Sequence, residues 1–308
     1  MQKEKTVVIG AGPAGSSCAI YLARFCHSVV VVDAGGDVPG RTKMATSLEN
    51  FITNYPAGNG KEIIRTIHEQ LAHFGVDLIR DRVVLVKKNN DTFTVDTEKG
   101  SIEADFVVVA VGVEDRMPPI AIPDEYYDFS IFHCPACDWY RMRHKQIALI
   151  GNSDHAVQEA LIFQFMNPDP SPIVIPADSS AKFSREMLDK SQKNNITIYY
   201  NPIRRLVGLL GHLKAIELQS GERVAAEAIF TILGHNRRDH FLDDGGIDVR
   251  RDSEGFIRVD YRTFETSVKN LYAVGPCNDG PDQAIIAGGQ GALAALAIHR
   301  KILEKNEL

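Results

Sequence analysis

The sequence predicts an α/β protein built from two Rossmann-like three-layer domains. Two observations lead there. Short, continuously apolar runs such as Thr6-Val7-Val8-Ile9 and Ile147-Ala148-Leu149-Ile150 read as parallel strands covered on both faces. Each run feeds directly into a glycine-containing turn and then an apolar helix, the opening of a βαβ unit.

The first unit is the fuller one. Gly10-Ala11-Gly12-Pro13-Ala14-Gly15 follows the strand, a helix is predicted from Ser16 to about Phe25, and a second strand from Ser28 to Val32 ends in Asp33. The glycines permit a tight turn and a close backbone approach to a pyrophosphate at the helix N-terminus. Asp33, 23 positions after Gly10, is spaced to accept from ribose hydroxyls, so a dinucleotide with an unphosphorylated adenosine ribose is the expected ligand.

From Gly40 to Pro56 the chain is too polar for a core element and reads as a loop covering a ligand. A helix follows over about Gly60–Phe74, with Ile63, Ile64, Ile67 and Leu71 on one face. Short strands are expected near Asp77–Ile79, Arg82–Lys87, Thr92–Thr97 and Ser101–Glu103. A buried strand then ends at Ala110-Val111-Gly112.

The second unit restarts at Lys145, with a turn at Gly151, a helix through Ala156 to about Phe165, and strands at Pro172–Ile175 and Ile229–Leu233. Between the two units lies Cys134-Pro135-Ala136-Cys137-Asp138. Two thiols three positions apart can close a small disulfide ring, and a helix start would favour the thiolate. An adjacent carboxyl could hand a proton to a departing thiolate. A zinc site would need a second ligand pair, and Cys18, Cys26 and Cys277 stand alone, so no metal is expected. Cys18 and Cys26 read as small buried apolar residues.

Composition narrows the partners. A net charge of −6 without a basic block argues against nucleic acid and anionic membrane. No apolar run reaches membrane-spanning length. The first strand begins almost at Met1, leaving no expected leader, and five cysteines, an odd number, suit the reducing cytoplasm.

Taken together, GAGPAG, Asn54-Tyr55-Pro56, Ala110-Val111-Gly112, CPACD, Asn270-Leu271-Tyr272-Ala273-Val274-Gly275, Gln283-Ala284 and Gly288-Gly289-Gln290-Gly291 resemble the low-molecular-weight thioredoxin reductases, in that family's order and over essentially the whole chain. The resemblance implies an FAD domain at 1–113 and 243–308, with a redox domain inserted at 114–242, in a homodimer. It implies FAD held by Gly10, Gly12, Pro13, Ala14, Asp33 and Ala34 in the first unit. Arg41, Asn54, Val83, Ala110, Gly112, Gly275, Gln283 and Ala284 complete the implied site. It further implies that Cys137 faces the flavin, Cys134 attacks a thioredoxin-like or small disulfide, and Asp138 protonates the leaving thiolate. Hinges would lie near Val113–Pro118 and His235–Phe241.

The sequence departs from that family where NADPH would bind. The second turn reads Gly151-Asn152-Ser153-Asp154-His155-Ala156, so a Cβ and a carboxylate stand where backbone should meet pyrophosphate. The basic run expected after the next strand is replaced by Pro176-Ala177-Asp178-Ser179-Ser180. NADPH is therefore not the expected donor. Ferredoxin or a second flavin is expected, as in a pyridine-nucleotide-independent branch, with NADH as the alternative that an acidic residue suits. A dithiol oxidase passing electrons to oxygen, and a non-enzymatic redox-sensing flavoprotein, are further alternatives.

Pro276 replaces the acid that normally follows the last-strand glycine, leaving Asn278 or Asp279 to handle the ribityl chain. Trp139 replaces a glycine, and with Tyr140 could serve core packing, flavin stacking or a partner site. His133 could lower a thiol pKa or serve only as a half-buried turn residue.

Overall fold

The computed structural model describes residues 4–35, 40–52, 58–166 and 169–307. The chain divides into two compact units, residues 1–114 with 237–308, and residues 115–236. The first stretch carries β1 (Lys5–Ile9), α1 (Pro13–Arg24), β2 (Ser28–Asp33), α2 (Arg41–Met44), α3 (Gly60–His73), β3 (Asp77–Arg80), β4 (Val83–Asn89), β5 (Thr92–Thr97), β6 (Ser101–Ala104), β7 (Phe106–Val109) and β8 (Val113–Asp115). The second unit adds α4 (Glu125–Phe129), β9 (Ile131–Phe132), α5 (Pro135–Met142), β10 (Ile147–Ile150), α6 (Asp154–Met166), β11 (Ile173–Ile175), α7 (Arg185–Lys193) and β12 (Thr197–Ile198). It continues with β13 (Ile203–Leu209), β14 (His212–Leu218), β15 (Arg223–Ala225) and β16 (Ala228–Thr231). β17 (His235–Arg237) leads back to α8 (His240–Asp244), β18 (Leu271–Ala273) and α9 (Ala284–Lys305).

Each unit holds a five-stranded parallel sheet of the same plan, β3-β2-β1-β7-β18 in the first and β12-β11-β10-β16-β9 in the second. The strand order reverses beside β1 and beside β10, and at such a switch point a crevice opens at the carboxyl ends of the strands. Val7, Val8, Val31, Val107 and Val108 are fully buried. Each such side chain contributes roughly 1.5–3 kcal/mol of burial, which is why these strands are apolar on both faces.

Helix α1 begins three residues earlier than its apolar pattern suggested, because Gly12 takes the N-cap and Pro13 the first helical position, where a missing N–H costs nothing. Helix α3 starts at a capping box, Asn59 accepting from the Glu62 amide at 3.0 Å while Glu62 accepts from the Asn59 amide at 3.3 Å. The polar stretch after Gly40 contains the short helix α2, where only loop was expected. Cys26, expected to be buried, is exposed at a left-handed residue (φ 61°) just past the end of α1, whereas Cys18 is fully buried.

The chain re-enters the first unit at residue 237, ahead of the expected 243, because α8 packs on β4. Gly245, which follows α8, lies so close to β4 that a Cβ would stand 1.8 Å from the Val86 carbonyl oxygen, and Phe241 and Leu242 join the first unit's core. The two crossing segments, β8 and β17, pair with each other as a two-stranded ribbon.

In the second unit, the three-stranded sheet β13-β14-β15 places one carboxylate among arginines. Glu217 on β14 lies opposite Arg205 on β13 and Arg223 on β15, accepting from Arg205 at 3.0 and 2.7 Å and from Arg223 at 3.1 Å. The Arg205 hydrogen bonds, aided by those of Arg223 and opposed by burial, hold the Glu217 pKa down from 4.5 to about 2. A carboxyl whose pKa is depressed by folding stabilises the fold above its unfolded pKa, and that stability is lost as the pH falls through its folded pKa. The urea midpoint followed by fluorescence of Trp139, the protein's one tryptophan, should therefore drop between pH 4.5 and about 2. In Glu217→Gln the drop over that interval should be smaller, from a lower midpoint at neutral pH.

Candidate FAD and dithiol sites

In the first unit, most of the predicted residues gather where β1, β7 and β18 end. Gly10 has φ +109°, and a Cβ there would lie 2.4 Å from the Ala110 carbonyl oxygen. The turn is thus pressed against buried Ala110, whose amide donates to Ile9. Gly12 has open space where a Cβ would be, and it caps α1 with no side-chain hydrogen bond. The first amides of α1 are left for an anion, and the helix dipole favours one there. Pro13 opens the helix. Ala14 is buried beneath Gly275, whose Cβ would stand 3.1 Å from that of Ala14. Gly112 lies past β7 with φ +63° and open space around it.

Asp33 ends β2 with its carboxylate turned back to the turn, accepting from the Ala11 amide at 2.8 Å and the Gly35 amide at 2.9 Å. Ala34, half-buried, lies between these contacts. Arg80, which the sheet register sets directly opposite Asp33, donates to the same carboxylate at 2.7 Å. Val83 begins β4, two residues past Asp81, whose amide donates to the Asp33 carbonyl at 3.0 Å.

Arg41 and Gln283 are brought to one place by partners the motifs did not reveal. Arg41 pairs with Asp282, and Asn50 donates to Gln283 at 2.9 Å. Ala284 is the first residue of α9, with Gln283 at its N-cap. Asn54 lies outside the described residues.

The loop after β18 separates the two ribityl candidates. Asn278 is buried and internally committed, donating to the Ala273 carbonyl at 3.0 Å and to Gln290 at 2.8 Å while accepting from the Gly280 amide. Asp279, by contrast, has a buried Oδ1 with no hydrogen-bond partner. An orphaned buried acceptor, an open glycine turn and a ribose-spaced carboxylate fit a flavin dinucleotide. Cys277 donates to the Val109 and Val274 carbonyls, and burial raises its pKa to about 12, so it is no nucleophile. Cys18 is likewise raised to about 12 by burial.

In the second unit, Cys134 and Cys137 form a disulfide at the start of α5. Cys134 is the N-cap residue, and its Sγ accepts from the Cys137 amide at 3.2 Å. Pro135 takes the first helical turn. Asp138 also lies in that turn, with its side chain 14% exposed and paired with Arg141 one turn on. His133, just before the pair, shares a hydrogen bond with the Thr231 hydroxyl.

Residues 4–291 match the family description "Pyridine nucleotide-disulphide oxidoreductase". The chain belongs to that family. It is a thioredoxin-reductase-like FAD disulfide oxidoreductase whose dithiol is Cys134–Cys137. It is 30% identical to NADPH-dependent thioredoxin reductase 3 of Arabidopsis thaliana over 99% of its own length, and spans 59% of that longer protein. It is 27% identical to a thioredoxin reductase of Rickettsia felis, covering 96% of this chain and 97% of that one. Among solved structures, HlmI superposes with a TM-score of 0.88 at 26% identity, covering 99% of this chain and 94% of HlmI. A putative thioredoxin reductase from Bacillus anthracis gives 0.86 at 25% identity, covering 99% and 100%.

Within this oxidoreductase the second turn is tied down by its own side chains. Asn152 accepts from the Ala177 amide at 2.9 Å and the Asp178 amide at 3.3 Å, and donates to the Asp178 carboxylate at 2.8 Å. Asp154 accepts from the Ser184 amide at 2.7 Å. Hydrogen bonds from Ser180, then Asn152, hold the Asp178 carboxyl below its ordinary range, so it stays charged. A hollow of about 480 Å³ opens beside it, lined in part by Asp178, Ser179, Lys182 and Tyr200.

Trp139 is a packing residue, edge-on to Phe163 at 4.4 Å, while Tyr140 is exposed beneath the Arg143 guanidinium. Among the described residues no three His, Cys, Asp or Glu side chains gather as a metal site, and no helix is long and apolar enough to cross a membrane.

Proposed function

We propose that the protein passes two electrons from FAD through Cys134 and Cys137 to the disulfide of a thioredoxin-like partner, and that the FAD draws its electrons from a donor other than NADPH. The observation that carries the dithiol chemistry is Cys134 at the N-cap of α5 with its sulfur on the Cys137 amide. Bound FAD supplies the electron pair that opens the disulfide. Once the pair is reduced, the Cys134 thiolate is the one stabilised by an amide and a helix N-terminus. The Cys137 sulfur takes a proton, a role we assign to Asp138, the next residue in sequence, whose carboxyl pairs with Arg141. Cys134 then attacks one sulfur of the partner disulfide and the other leaves as a thiolate. Cys137 gives its proton back to the Asp138 carboxylate and, as thiolate, attacks Cys134 in the mixed disulfide, which closes the Cys134–Cys137 bond and frees the second partner thiolate. Two electrons leave with the partner, whose two thiolates take up protons from Asp138 and from solvent.

The donor reading rests on the Asn152–Asp178 arrangement. An ionised carboxylate stands at the end of β11, where the family would grip a 2′-phosphate, and the lining of the hollow beside it offers Lys182 in place of an arginine pair. Asp178 also favours a second reading, NADH, since an acid there suits a free 2′-hydroxyl. The test is anaerobic titration of the purified protein, with flavin counted per chain, by NADPH, NADH and reduced ferredoxin in turn. NADPH should leave the flavin's visible band in place. Bleaching by NADH selects the second reading, and bleaching by ferredoxin, or more than one flavin per chain, selects a non-nicotinamide source. Rapid bleaching by NADPH would overturn the proposal.

A further inference from the structure

The Asp33 carboxylate belongs to a closed ring of hydrogen bonds. Its Oδ2 accepts from the Ala11 amide at 2.8 Å, and its Oδ1 accepts from Arg80 Nη1 at 2.7 Å. Arg80 Nη2 lies 3.0 Å from His68 Nδ1, and His68 Nε2 lies 3.3 Å from the Ala11 carbonyl oxygen. Arginine can only donate, so Nδ1 accepts and the proton of neutral His68 sits on Nε2, donating to Ala11. The path therefore runs from Asp33 to Arg80, to His68, to Ala11 and back to Asp33. It joins β2, β3, α3 and the glycine turn.

Two consequences follow for a dinucleotide. A carboxylate offers about four acceptor positions, and the Ala11 amide, the Gly35 amide and Arg80 take three, leaving one for a ribose hydroxyl. Ala11, part of the turn proposed to meet the pyrophosphate, is held at its N–H by Asp33 and at its C=O by His68 together with the buried Ser16 hydroxyl, which donates at 3.1 Å. We propose that Arg80 and His68 are positioning residues for the adenosine half of FAD, fixing the ribose acceptor and the pyrophosphate turn at one spacing, and that protonation of His68 opens the ring. This rests on the FAD reading above.

The switch depends on what faces His68. Arg80 approaches from β3, Asp33 from β2 and Lys43 from α2. On its own helix Arg65 is paired with Glu69, and Arg24 of α1 sits over the Phe74 ring. Burial and the Arg80 charge hold His68 below its ordinary pKa, so the ring is closed at neutral pH. A protonated His68 loses the acceptor that Arg80 uses and sets two cations against each other.

The experiment measures FAD dissociation from the holoenzyme, by the fluorescence of released flavin, between about pH 5 and 8. The wild type should bind FAD on the order of tenfold more weakly at the acid end. In His68→Gln the amide can accept from Arg80 and donate to Ala11 but does not titrate, so binding should stay near the neutral wild-type value and lose its pH slope. His68→Leu and Arg80→Met should bind on the order of tenfold more weakly at every pH. Should either fail to fold, His68→Gln still decides, since a full wild-type pH slope in that variant overturns the proposal. Wild-type affinity in both His68→Leu and Arg80→Met does so as well. Wild-type protein that holds no flavin at all overturns the FAD reading, and this role with it.

Discussion

Replacing Cys134 with serine is expected to lower reduction of a thioredoxin-like disulfide by at least about 10³-fold, while leaving the bound flavin's spectrum in place. The sulfur removed is the one that caps α5 and accepts from the Cys137 amide. Replacing Cys137 should be as damaging to turnover but distinct in kind. Cys134 could still attack the partner, and nothing would resolve the product. Cys137→Ser, first reduced and then mixed with an oxidised thioredoxin-like protein lacking its own resolving cysteine, should accumulate a covalent adduct. Mass spectrometry would find the sum of the two chains, and dithiothreitol would return them. An adduct formed by Cys134→Ser and not by Cys137→Ser would reverse the two roles.

Replacing Gly291 with alanine is expected to cost about 3 kcal/mol, lowering the melting temperature of the first unit by on the order of 10 °C. Gly291 lies on α9 where that helix crosses α1, and a Cβ there would sit 2.0 Å from the Ala14 carbonyl oxygen. The clash is with backbone, so no rotamer change relieves it. The carbonyl it displaces belongs to the helix whose first amides are proposed to meet the pyrophosphate, so flavin retention should fall with stability. Gly288→Ala on the same helix meets nothing within 4 Å and should be harmless. Differential scanning calorimetry of the three proteins, with flavin counted in each, checks both effects.

The sequence made some of this site legible and left other parts silent, for separable reasons. The β1 strand, the glycine turn, α1 and Asp33 are local features, and local periodicity and turn chemistry report them directly. Arg80 and His68 were invisible because their relation to Asp33 depends on the pairing of β3 with β2 and on where α3 packs, which no single window contains. The Asp138–Arg141 pair could have been read, since residues three apart on a helix are neighbours. Asn152 could not, because its importance lies in bonds to Ala177 and Asp178 across a crossover. Loss of the acid at Pro276 was plain from the chain, but the difference between its two possible substitutes shows only in the fold, where Asn278 is already engaged and Asp279 has an oxygen with no partner. Cys26 was misjudged because a cysteine's burial depends on where the helix stops. Cys26 is itself the left-handed residue just past the Phe25 C-cap, outside the helix and exposed.

The cap at Cys134 also couples chemistry to secondary structure. In the oxidised protein the α5 N-terminus is capped by a neutral disulfide sulfur, a weak acceptor. After reduction the same atom can carry a full negative charge and meets the same amide and the same helix dipole. The first turn of α5 is therefore better capped when the protein is loaded with electrons than when it is spent. Thermodynamic linkage makes the relation mutual: whatever the helix gains from the thiolate, the reduced dithiol gains from the helix. One short helix thus acts as a counterweight, tilting the resting chain toward the electron-rich form in which it can meet its partner.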